Sequence, residues 1–151
     1  MQPASRPRSY TYRTSLERVG PRAGQLSAES KPAFRVASPP EFKGEPGVWS
    51  PEDLFVAAVN ACTMTTFLSF AERKGLGLVS YTSQAEGQLE LVEGAFRFTK
   101  VWVRPVVTLS DASQEAMARS TMEEAHHKCL ISNSMRCQVI VEARFAAGTP
   151  A

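Results

Sequence analysis

Apolar residues along this chain follow two rhythms. From residue 54 to residue 71 they occupy most faces of a 3.6-residue repeat, whereas elsewhere they alternate with polar residues or recur at three- and four-residue steps. Ser50 suits an N-cap, and Pro51 suits a first helical turn, where its missing N–H leaves no bond unmade. Glu52 and Asp53 put negative charge at the positive end of the helix. The pattern turns polar at Glu72-Arg73-Lys74, and Gly75 supplies the stop. These signals predict a helix of about 24 residues, about 36 Å long at ~1.5 Å per residue. That is long for this chain, so the remainder is expected to wrap around it.

Residues 1–7 read as a disordered lead-in. Ser9 to Thr14 alternates Tyr10 and Tyr12 with Ser, Thr and Arg, which predicts a strand. Residues 18–24 read as a turn, followed by short strands at about 25–28 and 33–37, then a Pro/Gly-rich loop to Gly47. After the helix, residues 78–86 and 88–91 alternate, Glu93-Gly94 turns the chain, and a strand runs from Phe96 to Leu109. Pro105 within it implies an edge or a bulge. Asp111 caps a second, amphipathic helix over about 112–128. Residues 129–135 form a helix end or a short separate helix, residues 137–145 a last strand, and residues 147–151 a frayed tail. The order predicts an α+β fold in a single domain over 1–151.

Composition changes this picture little. The 151 residues are 43% hydrophobic and 21% charged, as in ordinary globular domains. A net charge of +2 is too small to argue for nucleic acid, and Arg6, Arg8, Arg13, Arg18 and Arg22 read as a solvated strand face. Residues 54–71 are long enough for a membrane span, but Asn60, Thr63, Thr65, Thr66 and Ser69 suit a helix buried in protein. No secretory signal is visible, so a cytoplasmic protein without membrane or nucleic-acid partners is expected. Its three cysteines then read as reactive thiols, metal ligands or core residues rather than a disulfide framework.

Three chemistries compete for those cysteines. His126, His127, Cys129 and Cys137 could form a metal site, but there is no CxxC and there are only two histidines. Cys62 or Cys129 could pair with a histidine as a hydrolase nucleophile, although no oxyanion-hole glycine motif stands near either. Cys62 and Cys129 could form a redox pair, but 67 positions separate them and only the fold can join them. From the residues alone, a lone cysteine in an apolar helix is most often a small hydrophobe.

The run Gly44-Glu45-Pro46-Gly47-Val48-Trp49-Ser50-Pro51-Glu52-Asp53-Leu54 through Ala61-Cys62 resembles the first cysteine motif of the OsmC/Ohr family, the osmotically inducible and organic hydroperoxide resistance proteins. Cys129-Leu130-Ile131-Ser132-Asn133-Ser134 resembles the second, in which proline usually follows the cysteine; Leu130 departs from that pattern. The similarity spans about residues 8–146. It implies an OsmC-like fold, antiparallel sheets around a long central helix plus a second helix, in an intertwined homodimer.

It further implies a cysteine-based peroxidase that reduces small organic peroxides. Cys62 would be the peroxidatic cysteine and Cys129 the resolving one, with no metal, flavin or haem. A cellular dithiol, such as a dihydrolipoyl group, would reduce the resulting disulfide. Glu52 stands where the family places a glutamate. Arg18 or Arg22 would supply the family's arginine, and Arg18 is preferred. Cys137 has no family role. A thiolate is the nucleophile in such chemistry and burial opposes it, so a guanidinium is expected nearby, with the glutamate pairing that cation. Glu52 and Cys62 lie ten residues apart, about 15 Å of rise and 80° of rotation on one helix, so a shared site needs the partner subunit or an intervening arginine. The competing reading is a non-catalytic binding protein of the same fold with vestigial cysteines.

Overall fold

The computed structural model describes residues 8–148, which form an α+β architecture in two compact units that divide between Glu52 and Asp53. The N-terminal unit is an antiparallel meander of β1 (Ser15–Gly20), β2 (Ala23–Ser27) and β3 (Phe34–Ala37), ordered β1-β2-β3. The strand expected over residues 9–14 is absent. Pairing begins at Ser15 opposite Ser27, and the register down to Gly20 opposite Ala23 uses all of β2, so earlier residues have no ladder to join. The turn is correspondingly shorter than expected, just Pro21-Arg22.

The loop after β3 does form as its prolines and glycines imply. It contains a 3-10 turn at Pro40–Phe42 and is closed by Glu45 N–H donating to the Ser38 carbonyl at 3.0 Å. Gly44 is obligatory there, because a Cβ would stand 1.5 Å from the Ser38 carbonyl oxygen. Arg35 and Glu45 make a two-pronged ion pair across the loop, at 2.6 and 2.8 Å.

Helix α1 (Pro51–Arg73) has the expected extent. It ends in a full Schellman motif: Gly75 adopts φ +70°, its N–H donates to the Glu72 carbonyl at 3.1 Å, and Leu76 N–H donates to the Ala71 carbonyl at 2.9 Å. Only one stripe of α1 is buried, Val59, Thr63, Phe67 and Ala71 at four-residue steps. By length and composition α1 could cross a membrane. Its buried stripe instead packs within the C-terminal unit.

The sheet of the C-terminal unit is built on a long hairpin of β4 (Leu78–Val92) and β5 (Ala95–Leu109), turned at Glu93-Gly94 with φ of +51° and +82°. The expected last strand is two strands, β6 (Gln138–Val141) and β7 (Arg144–Ala147), broken at Glu142-Ala143. Both run parallel to β5, so this sheet is mixed rather than antiparallel. β5 is therefore a central strand. Pro105 is tolerated because it falls between the stretches that pair with β6 and with β7, where no ladder bond is required of it on that side. The expected frayed tail is also revised: Ala147 closes β7, and Gly148 N–H donates to the Leu109 carbonyl at 2.8 Å. Residues 1–7 and 149–151, read as disordered from sequence, lie outside the described residues.

Asp111 accepts from the Ser113 N–H at 2.9 Å and caps a 3-10 turn, Ala112–Gln114, which leads into α2 (Glu115–Lys128). The short α3 (Leu130–Ser134) follows. One core cluster joins Phe67 and Ala71 of α1 to Val107 and Leu109 of β5 and to Ala118, Met122 and Ala125 of α2. A second joins Val59 to Val101 and Val103, flanked by Phe55, Ile131 and Met135. Phe55 stacks on Phe98 with ring centroids 4.5 Å apart, which ties the first turns of α1 to the outer half of the hairpin. Phe67 is fully buried where helix, sheet and α2 meet, so Phe67→Ala is expected to cost about 3–5 kcal/mol. Denaturant unfolding checks this; a loss under about 1 kcal/mol would mean the seam is not structurally central.

Candidate functional site

Cys62 precedes Thr63 of the buried stripe, so its side chain stands at the edge of the packed face and is half-buried. Its Sγ lies 3.8 Å from Thr66 Oγ1, one turn along α1. Cys129 sits between α2 and α3 and is fully buried. Its N–H donates to the His126 carbonyl at 3.4 Å, and its own carbonyl accepts the Asn133 N–H at 3.0 Å. Its backbone is extended, φ −63° and ψ 109°, which is the conformation a following proline enforces. Leu130 reaches that geometry without the proline ring and leaves its side chain 66% exposed.

The fold brings the two cysteines close across 67 positions of sequence, near enough for the Cys62 thiol to lower that of Cys129, and both thiols are free. Burial pushes the Cys129 thiol up. The Ser132 hydroxyl and N–H, the Cys62 thiol and the Ile131 N–H outweigh it and hold Cys129 below the usual thiol range. These donors face the sulfur without closing a capping bond on α3. The Ser132 hydroxyl is itself buried, and it acts on the sulfur from beyond normal hydrogen-bond geometry, with no hydrogen-bond partner of its own. Cys137 is different. It is half-buried against the Val59–Val101–Val103 cluster, and burial pushes its thiol up.

Glu52 lies one residue into α1, in the N-terminal unit, and its Oε2 is buried without a hydrogen-bond partner. It is not brought to Cys62 along the helix, since ten residues carry it about 15 Å away. Arg18 is exposed in β1 rather than in a turn, because only a bulge between Arg18 and Gly20 follows it and the turn starts at Pro21. Arg22 does occupy the turn, and its Nη1 donates to the Phe42 carbonyl at 2.6 Å. His126 and His127 stand side by side with ring centroids 5.9 Å apart, and burial followed by the His127 charge holds His126 below the usual imidazole range. No group of three or more His, Cys, Asp or Glu side chains among the described residues could hold a metal ion.

The description "OsmC-like protein" fits residues 44–144, more than half of the chain. The chain belongs to the OsmC-like family. It is 29% identical to the uncharacterized protein YmaD of Bacillus subtilis over 69% of this chain and 71% of that protein. An OsmC-like protein of unknown function from Vibrio cholerae has a similar structure, at a TM-score of 0.82 and 25% identity, over 89% of this chain and 99% of that one. An organic hydroperoxide resistance protein OsmC from Legionella pneumophila matches at a TM-score of 0.72 and 25% identity, over 91% and 97%.

Within this OsmC-like protein, Thr66 and the Ser132 hydroxyl are the side chains beside the sulfurs whose placement sequence reasoning did not anticipate. The available signal was the four-residue step from Cys62 to Thr66 and the three-residue step from Cys129 to Ser132. The Cys129 shift has a definite sign. Because its folded value is depressed, the thiolate stabilises the fold above the unfolded thiol value of about 8.5. That contribution is lost as pH falls through the folded value. In a Cys62→Ala, Cys137→Ser background, Ser132→Ala should move the ultraviolet thiolate titration of Cys129 to higher pH. An unchanged titration would remove Ser132 from the account.

Proposed function

We propose that this protein is a thiol-dependent peroxidase that reduces organic hydroperoxides, with Cys62 as nucleophile and Cys129 as resolving thiol. The observation that carries the reading is the proximity of two free thiols, one half-open and one buried. The Cys62 thiolate attacks the distal peroxide oxygen; the O–O bond breaks, and the alkoxide takes a proton from water and leaves as the alcohol. Sulfur is oxidised by two electrons to a sulfenic acid and the peroxide is reduced by two. The Cys129 thiolate then attacks the Cys62 sulfur. An S–S bond forms, and hydroxide leaves as water after taking up a proton. An external dithiol of the dihydrolipoyl class restores both thiols by exchange and leaves as its own disulfide. The donors around Cys129 favour the second step, since they hold its thiol below the usual range.

Glu52 serves in this scheme as the anchor for a guanidinium, supported by its buried and unpartnered Oε2. Arg18 is that cation. A homodimer completes the protein. Helix α1 is apolar on most faces yet buries one stripe, and it leaves a cleft of about 330 Å³ lined by Ala57, Asn60, Ala61, Met64, Tyr81 and Ser83. A second copy is the natural cover for such a face. The reading places the protein in the cytoplasm, where dithiol reductants are available.

Stopped-flow mixing with cumene hydroperoxide tests the activity. Cys62→Ser should lose peroxide consumption by at least about a hundredfold, whereas consumption at the parental rate would point to a non-catalytic protein with vestigial cysteines. Gel filtration should give a dimer, and a monomer at micromolar concentration would contradict the shared assembly.

A further inference from the structure

The run Thr63-Met64-Thr65-Thr66 puts three threonines in about one turn of α1, and their hydroxyls do different things. Thr63 Oγ1 donates to the Val59 carbonyl at 2.8 Å, and Thr65 Oγ1 donates to the Cys62 carbonyl at 3.3 Å. Both follow the habit of threonine within a helix, where the hydroxyl bonds back to a carbonyl three or four residues earlier. Thr66 instead has its hydroxyl 3.8 Å from the Cys62 sulfur. At i and i+4 the two side chains share a face, so the rotamer that aims Thr66 at the sulfur is reached without distorting the helix.

We infer that Thr66 is a hydrogen-bond donor to the Cys62 sulfur, a positioning residue that stabilises the thiolate and aims it at the substrate. The inference rests on the reading of Cys62 as nucleophile. While Cys62 carries its proton, the S–H can donate to Thr66 Oγ1. Once that proton has left to solvent, the threonine O–H turns and donates to the thiolate, keeping its own proton throughout. A hydroxyl bound to sulfur is stronger when the sulfur is charged, so the contact favours the reactive form over the resting one. It works from within the same helix and needs no cation from elsewhere. The hydroxyl therefore adds to whatever a guanidinium contributes.

Alkylation of Cys62 by iodoacetamide measures this without any peroxide. In a Cys129→Ser, Cys137→Ser background, Thr66→Val keeps the side-chain shape and removes the hydroxyl. It should slow alkylation near neutral pH about three- to tenfold and move the rate's pH profile to the alkaline side. Thr66→Ser, which restores the hydroxyl, should return the rate to within about twofold of the parent. Thr66→Ala should behave like the valine variant, which provides a second hydroxyl-free reading if valine perturbs folding. A Thr66→Val or Thr66→Ala profile that superimposes on the parent overturns the inference, as does a Thr66→Ser profile no different from valine's. Loss of the peroxidase reading looks different: peroxide is not consumed while the alkylation contrast persists.

Discussion

The four-residue stripe Val59–Thr63–Phe67–Ala71 is the contact on which the rest of the molecule depends. It is the single buried face of a 23-residue helix that is apolar nearly all round, and it seats α1 against β5 and α2. A stripe at four-residue steps fixes both rotation and height of the helix, because slipping by one residue would bury Ala58 or Asn60 in place of Val59. Cys62 is adjacent to that stripe in sequence, so the seam decides that its sulfur is half-buried. The seam thus links packing to chemistry, and a change in the core would be felt at the thiol.

The two thiols differ because their backbones differ. Cys62 is in mid-helix, where its own N–H and carbonyl are engaged by the helix and its sulfur meets only side chains such as Thr66. Cys129 is at a break between helices, where the N–H groups of Ile131 and Ser132 are free to face the sulfur. Burial alone would push the Cys129 thiol up, as it does that of Cys137. The donors reverse that outcome at one cysteine and not at the other. Under the proposed function, an external oxidant would meet the half-open thiol first, and the buried one would trap the product.

Much of this was legible in the residues. Ser50-Pro51 and Gly75 bounded α1 nearly to the residue, and Glu93-Gly94 marked the hairpin turn, because each element end is enforced by local backbone chemistry. Tertiary pairing was not legible. Alternation at Ser9–Thr14 looked like a strand, yet a strand exists only where a ladder is available, and β2 is filled by Ser15–Gly20. The break at Glu142-Ala143 carries no glycine or proline, and nothing local declares that β6 and β7 run parallel to β5. Cys62 was recognisable as special only through the motif around it, since helix periodicity alone reads it as one more small apolar residue. The partnership with Cys129 is a property of the fold, and Thr66 becomes informative only once its two neighbours are seen bonding back to the helix.

The central claim is that Cys62 and Cys129 act as one redox unit and that Cys137 stands outside it. Its most direct test is peptide mapping by mass spectrometry after one equivalent of an organic hydroperoxide is added to the fully reduced protein. The account predicts a Cys62–Cys129 disulfide in near-stoichiometric yield, with Cys137 recovered as a free thiol. A Cys62 sulfinic acid with Cys129 still reduced, or a disulfide that includes Cys137, would contradict it.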